Sequence, residues 1–287
     1  MTKKIKISSS WDTSENLTKR LISEFKTPEI NLSGIDFVYD DSYDTIIFFN
    51  HATELIPSNK KGYIFPHEPS WSGSHQKNIP NNVTIFGFKE ELYNQNCQVS
   101  VSHTFYGGRG PWVDPLDFWC YDNLINFTST KNKTISSSVT DLKEKIGGTC
   151  LYPQRYLIHQ LVSNIDFIDC YGGGDCSPKR HDSLVNYKFN LAIENEFQDN
   201  WVTEKFYDSI LTETIPIYYG CKNIKEIYPE DGYILINDIN NLTEINELLI
   251  HINNNSDEIY NQKIEGLRQI KKRYFKEFNL LKKIIEL

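Results

Sequence analysis

The chain has 287 residues, a formal net charge of −8 and a pI near 5.4. Hydrophobic residues make up 39% and aromatics 13%, enough to bury a sizeable core and to exclude a wholly disordered chain. The acidic balance lacks the broad basic footprint of a nucleic-acid binder, so no nucleic-acid partner is expected.

The opening residues Met1-Thr2-Lys3-Lys4 lead into no apolar run that would serve as a signal peptide, and no stretch approaches the ~20 apolar residues of a membrane span. A cytoplasmic protein with no transmembrane segment is expected. The six cysteines, at 97, 120, 150, 170, 176 and 221, are expected to be free thiols.

In chain order, strands are predicted at Lys3–Ile7, Ile35–Tyr39, Thr45–Asn50, Gly62–Pro66, Val83–Phe88 and Gln98–Ser102, with a helix at Glu15–Phe25. Asp40-Asp41-Ser42 reads as a turn. The strand at Gly62–Pro66 stops in Pro66-His67-Glu68-Pro69, which cannot continue as regular structure. Gly107–Pro115 is a loop, and the Ser/Thr/Asn/Lys-rich stretch Thr128–Ser138 is the best linker candidate. Beyond it a helix is predicted at Gln154–Ser163 and a strand at Ile165–Tyr171, then a Gly-rich turn at Gly172. A strand at Leu191–Glu194, a helix at Glu204–Leu211 and strands at Ile215–Tyr219 and Ile234–Ile236 follow. Helices at Glu244–His251 and Asp257–Phe278 close the chain. The alternation predicts an α/β protein in two halves, residues 1–140 and 141–287, with the last helix a candidate to pack back on the first half. No internal repeat is visible.

Tyr187–Gly220 is the most informative stretch. A strand ends in Glu194-Asn195, a polar loop follows, and a helix begins near Thr203. A helix start presents free N–H groups and favours an anion. Lys205 lies in the first turn, where a cation opposes the helix dipole, unless a phosphate sits between them. Glu204 can accept hydrogen bonds from sugar hydroxyls. The same features also suit an ordinary surface helix with an exposed Glu-Lys pair.

The stretch closely resembles the signature of the family 10 glycosyltransferases, the α-1,3/1,4-fucosyltransferases. It carries Tyr187-Lys188-Phe189, Leu191, Glu194-Asn195, Val202-Thr203-Glu204-Lys205, Pro216 and Gly220 in the family's order and spacing. The resemblance runs from about Arg155 to Ile236 and is weak in the first half. It implies a GT-B fold, with two Rossmann-like domains facing across a cleft. It implies an inverting enzyme that moves fucose from GDP-fucose to a glycan hydroxyl in α-1,3-type linkage, with no cofactor and no metal. The donor would be bound by Arg155, Gly172, Lys188, Glu194, Asn195, Trp201, Val202, Thr203, Glu204 and Lys205. Where the family usually has Tyr before Val-Thr-Glu-Lys, this chain has Trp201, which keeps the aromatic face and loses the hydroxyl.

Family members carry a Glu closely followed by Pro after a strand of the first half. Glu68 is the match and the candidate general base, with His67 its rival. His67, Trp71 and Trp112 are candidate acceptor contacts. Trp119 lies in the same half, and at least one of these tryptophans is expected in the core. His51, His67, His75 and His103 have no metal-ligand spacing, and no GxGxxG or Walker A pattern occurs. The alternatives are a transferase for another nucleotide sugar and a non-catalytic carbohydrate-binding paralogue.

Overall fold

A computed structural model describes residues 2–69, 82–88, 97–102, 118–139, 148–171 and 180–287. The first sheet contains β1 (Lys3–Ser8), β2 (Ile35–Phe37), β3 (Thr45–Phe49), β4 (Lys61–Phe65), β5 (Val83–Gly87) and β6 (Cys97–Val99). All six are parallel, in the order β2-β1-β3-β4-β5-β6. The second contains β7 (Lys133–Ser137), β8 (Ile168–Cys170), β9 (Tyr187–Gln198), β10 (Ile215–Cys221) and β11 (Ile234–Leu235). These are also parallel, in the order β11-β10-β9-β7-β8. Every residue of β3, Thr45-Ile46-Ile47-Phe48-Phe49, is buried, as befits a parallel strand covered on both faces.

In each sheet the first strand lies between the second and the third, β2-β1-β3 and β8-β7-β9. The halves therefore share one doubly wound topology, although no sequence repeat announces it. In such sheets ligands bind beyond the carboxyl ends of the strands, beside the point where strand order reverses.

The helices are α1 (Ser14–Phe25), α2 (Tyr121–Ile125), α3 (Tyr152–Val162), α4 (Glu204–Leu211), α5 (Ile224–Ile227), α6 (Leu242–Asn254), α7 (Ser256–Glu277) and α8 (Leu280–Glu286). At the chain's end α8 lies on the first half. Asn279 caps it, accepting from the Lys282 N–H at 3.0 Å, and donates from Nδ2 to the Phe25 carbonyl at 2.7 Å. Lys3 Nζ donates to the Ile285 carbonyl at 3.2 Å.

Three sequence expectations need correction. Thr128–Ser138 is not a linker, because it contains β7, which pairs with both β8 and β9 inside the second sheet. Its buried Ser136 finds partners in the folded core: Asn190 Nδ2 donates to Ser136 Oγ at 2.8 Å, and the Ser136 hydroxyl donates to the Ser183 carbonyl. The strand expected over Ile165–Tyr171 shrinks to Ile168–Cys170 because turn hydrogen bonds occupy Asn164 and Ile165. The strand expected over Leu191–Glu194 extends through Tyr187–Gln198. The Asp40 turn is present, its carboxylate accepting from the Ser42 N–H at 2.9 Å. Trp119 is buried against Phe118, a core residue. Of the cysteines, Cys97, Cys120, Cys150, Cys170 and Cys221 are free thiols.

Candidate active site

The start of α4 is built from β9 and β10. Thr203 is the N-cap, its hydroxyl accepting from the Lys205 N–H. A second acceptor reinforces it: the Glu194 carboxylate takes the Thr203 N–H at 2.8 Å and the Thr203 hydroxyl at 2.6 Å. Glu194 needs a neighbour without a side chain, because a Cβ on Gly220 would lie 2.3 Å from the Glu194 Cβ. The Tyr218 hydroxyl lies 3.4 Å from Glu194 Oε1. Burial pushes the Glu194 carboxyl up, and the charge of Lys205 pulls it back.

Three cations and three carboxylates gather around this helix start. Lys205 Nζ lies 2.8 Å from Glu204 Oε1, 3.2 Å from Thr203 Oγ1 and 3.7 Å from Glu194 Oε2. Burial alone would raise the Glu204 carboxyl; the charge and hydrogen bond of Lys205 bring it down to about 2. Burial opposes the Lys205 ammonium, yet Glu204 and Glu194 outweigh it and raise its pKa. Arg155, in the first turns of α3, is buried and donates from Nη1 to the Ile193 carbonyl of β9. Arg180 donates from Nε to buried Asp208 at 3.1 Å and from Nη2 to the Lys205 carbonyl at 3.5 Å. Its charge also lowers Glu204.

The loop before α4 is stitched to the first half. Asn200 Nδ2 donates to the carbonyl of Phe88, the residue after β5, at 2.8 Å. The Ser102 N–H donates to the Asn200 carbonyl at 2.9 Å. The Ser102 hydroxyl accepts from the Val202 N–H at 3.0 Å and donates to the Val202 carbonyl. Trp201 meets Phe88 edge to face at 4.6 Å, and its indole N–H donates to Asn195 Oδ1 at 3.2 Å. Because Phe88 and Ser102 follow β5 and β6, the two sheets approach each other by their carboxyl edges. Glu68 lies three residues beyond the end of β4 and is half-buried. Since β4 pairs with β5, Glu68 is on the same edge as Phe88.

Not every residue singled out in the sequence faces this cleft. Trp201 and Val202 are buried in the contact between the halves, so stacking of Trp201 on a base or sugar is replaced by packing on Phe88. His67 is buried, with its ring 4.7 Å from that of Phe49 and its backbone N–H donating to Asn50 Oδ1 at 2.7 Å; it is a core residue rather than an acceptor contact. Lys188 sits at the opposite end of β9, roughly 20 Å from Glu194 at the rise of a strand. There it pairs with Asp257 at 2.7 Å. Trp71, Trp112 and Gly172 lie outside the described residues. Sequence reasoning missed Arg180, Asp208 and Ser102. Asp208 left a trace, an acid among the apolar positions Phe206, Tyr207, Ile210 and Leu211, all buried. Among the described residues no three His, Cys, Asp or Glu side chains stand together as a metal site, and no helix is long and apolar enough to cross a membrane.

Residues 128–274, about half of the chain, match the C-terminal domain of glycosyltransferase family 10 (fucosyltransferase). The chain is 32% identical over 110 residues to the α-(1,3)-fucosyltransferase FucT of Helicobacter pylori, covering 37% of this chain and 23% of that protein. It is 24% identical over 261 residues to α-(1,3)-fucosyltransferase C of Drosophila melanogaster, covering 78% of this chain and 57% of that one. It thus spans little more than half, and often far less, of the length of the relatives it matches. A solved α1,3-fucosyltransferase with GDP-fucose superimposes with a TM-score of 0.53 at 15% identity, covering 92% of this chain and 81% of that one.

Proposed function

This chain belongs to glycosyltransferase family 10 and has the GT-B fold, and from that premise we propose that it is an inverting transferase carrying fucose from GDP-fucose to a glycan hydroxyl, in α-1,3-type linkage. The observation that carries the reading is the cluster at the carboxyl end of β9, where the α4 N-terminus, Lys205, Arg155 and Arg180 gather.

In this reading the helix start and the three cations receive the diphosphate. Lys205 turns from Glu204 toward phosphate oxygen, and Glu204 is released to accept hydroxyl hydrogen bonds from the donor. Glu194, Thr203, Asn195 and Asp208 position these groups by holding the loop and helix in place. Glu68 is the general base on the facing edge. The acceptor oxygen attacks the sugar's anomeric carbon as the bond to the phosphate oxygen breaks. The acceptor proton passes to Glu68, and the leaving diphosphate's charge is stabilised by the preorganised cations. Turnover needs no metal on this account, because Lys205, Arg155, Arg180 and the helix dipole supply the positive field.

A thermal-shift series tests the donor. GDP and GDP-fucose should raise Tm more than UDP or UDP-sugars. Equal or larger shifts with UDP-sugars would reject fucose as the sugar carried. Turnover should survive EDTA; complete loss restored by Mn²⁺ would reject the metal-independent mechanism.

A further inference from the structure

A cavity of about 470 Å³ opens far from the cleft, between the α1–β2 loop, α2 and the corner where α7 meets α8. The α1–β2 loop precedes β2 and so lies at the amino edge of the first sheet, whereas the cleft faces its carboxyl edge. The volume is in the range of sites for small molecules.

Its floor is apolar. Ile30, Ile125, Phe275 and Ile285 line it, and the ring of Tyr121 meets that of Phe275 edge to face at 4.9 Å. Its mouth carries Lys272 and Lys276, one turn apart on α7, and Lys282 in the first turn of α8. None of these three ammonium groups forms an ion pair with a carboxylate among the described residues; Lys282 Nζ reaches only the Lys276 carbonyl, at 3.4 Å. Elsewhere on the same helix Arg273 is paired with Glu277 at 2.6 Å and Arg268 with Glu213 at 2.9 Å. Glu29 and Glu286 also line the mouth. Glu29 is engaged by the Thr27 hydroxyl and its own backbone, which hold its carboxyl low, and it feels Lys282 only at a distance.

We propose that this cavity binds a small amphipathic anion, an apolar chain or ring on the Tyr121–Phe275 floor with a phosphate or carboxylate at the three lysines. The apolar floor suits a chain or ring, and the three lysines, which outnumber Glu29 and Glu286 at the mouth and have no ion-pair partner among the described residues, give a place for one anionic group. The site is separate from the nucleotide cluster, so the two ligands do not compete.

Calorimetry on the whole chain tests it, with octyl phosphate and octanoate as probes and octan-1-ol and inorganic phosphate as controls. Octyl phosphate is expected to bind at one site, with both controls at least tenfold weaker. The double variant K272A/K276A should weaken octyl phosphate about tenfold or more and leave GDP binding unchanged. I125W should fill the floor and remove binding. The proposal is overturned if octyl phosphate does not saturate one site, if octan-1-ol binds as well, or if K272A/K276A binds octyl phosphate like the parent.

Discussion

The two halves share a strand order and differ in what their carboxyl edges hold. At the second sheet's edge, Glu194, Thr203, Glu204 and Lys205 bind one another, Arg180 holds Asp208, and Arg155 is fixed on the Ile193 carbonyl. At the first sheet's edge, the described residues supply Glu68 and the contacts of Phe88 and Ser102, while residues 70–81 and 103–117 of the connections after β4 and β6 fall outside them. Topology alone therefore does not place chemistry. In the function proposed above, the charge cluster at the helix start takes the diphosphate and the first half supplies the base and the acceptor surface.

The sharpest break of that division is Glu68→Gln. The variant keeps shape but cannot take a proton, so transfer should fall on the order of 10²–10⁴-fold. GDP affinity should stay at the parent value because the diphosphate contacts lie in the other half. Near-normal turnover would remove Glu68 from the reaction.

Lys205→Ala attacks the other side. A charge-assisted contact to phosphate is worth roughly 1.5–3 kcal/mol, so GDP affinity should drop about tenfold or more in calorimetry. Unchanged affinity would place Lys205 outside the site. Acid should act differently on this cluster. Glu204 has a folded pKa near 2 against an ordinary 4.5. The stability it contributes is therefore complete above about pH 4.5 and is lost as pH falls toward 2.

The comparison also explains what could be read from sequence. The helix Glu204–Leu211 and the strand starts at Lys3, Ile35 and Thr45 were legible because apolar periodicity and turn residues mark them locally. β7 was not, because Ser136 is buried through hydrogen bonds that only the folded partners Asn190 and Ser183 supply. At the site, Glu204 and Lys205 stood out by motif and helix position. Arg180 and Ser102 did not, since each reaches α4 or its loop from a distant segment with no periodic pattern. Short helices such as α2 and α5 carry too few turns to leave a pattern.

Ser102→Ala probes the stitch between the halves. It strips Val202 of its N–H acceptor and its carbonyl donor in a buried place, which should cost about 1–3 kcal/mol. Tm should fall, and donor KM should rise more than kcat falls, because the loop that ends in the α4 cap is loosened. A lower Tm with donor KM unchanged would show that the stitch holds the halves without setting the donor cluster.

Lys271→Met should shift stability by a similar amount with the opposite sign. Lys271, on α7, is 2% exposed, and its ammonium has no hydrogen-bond partner among the described residues. Glu213 faces it but is already held by Arg268 at 3.0 and 2.9 Å. The charges of Arg268 and Lys131 oppose it, Lys131 being itself bound to the Thr212 and Val185 carbonyls. Burial brings Lys271 down to about 8 from 10.5, with Glu213 pulling the other way. Between those values the unfolded chain holds more protons, so this group makes stability rise with pH across the window and costs most below it. Methionine keeps the stem and removes the charge. The variant should be more stable near pH 7 by on the order of 1–3 kcal/mol, and its advantage should shrink at about pH 9.5 in denaturant unfolding. A variant less stable near pH 7, or a difference that does not change with pH, would mean that Lys271 is compensated by its surroundings as fully as the charges around α4 are.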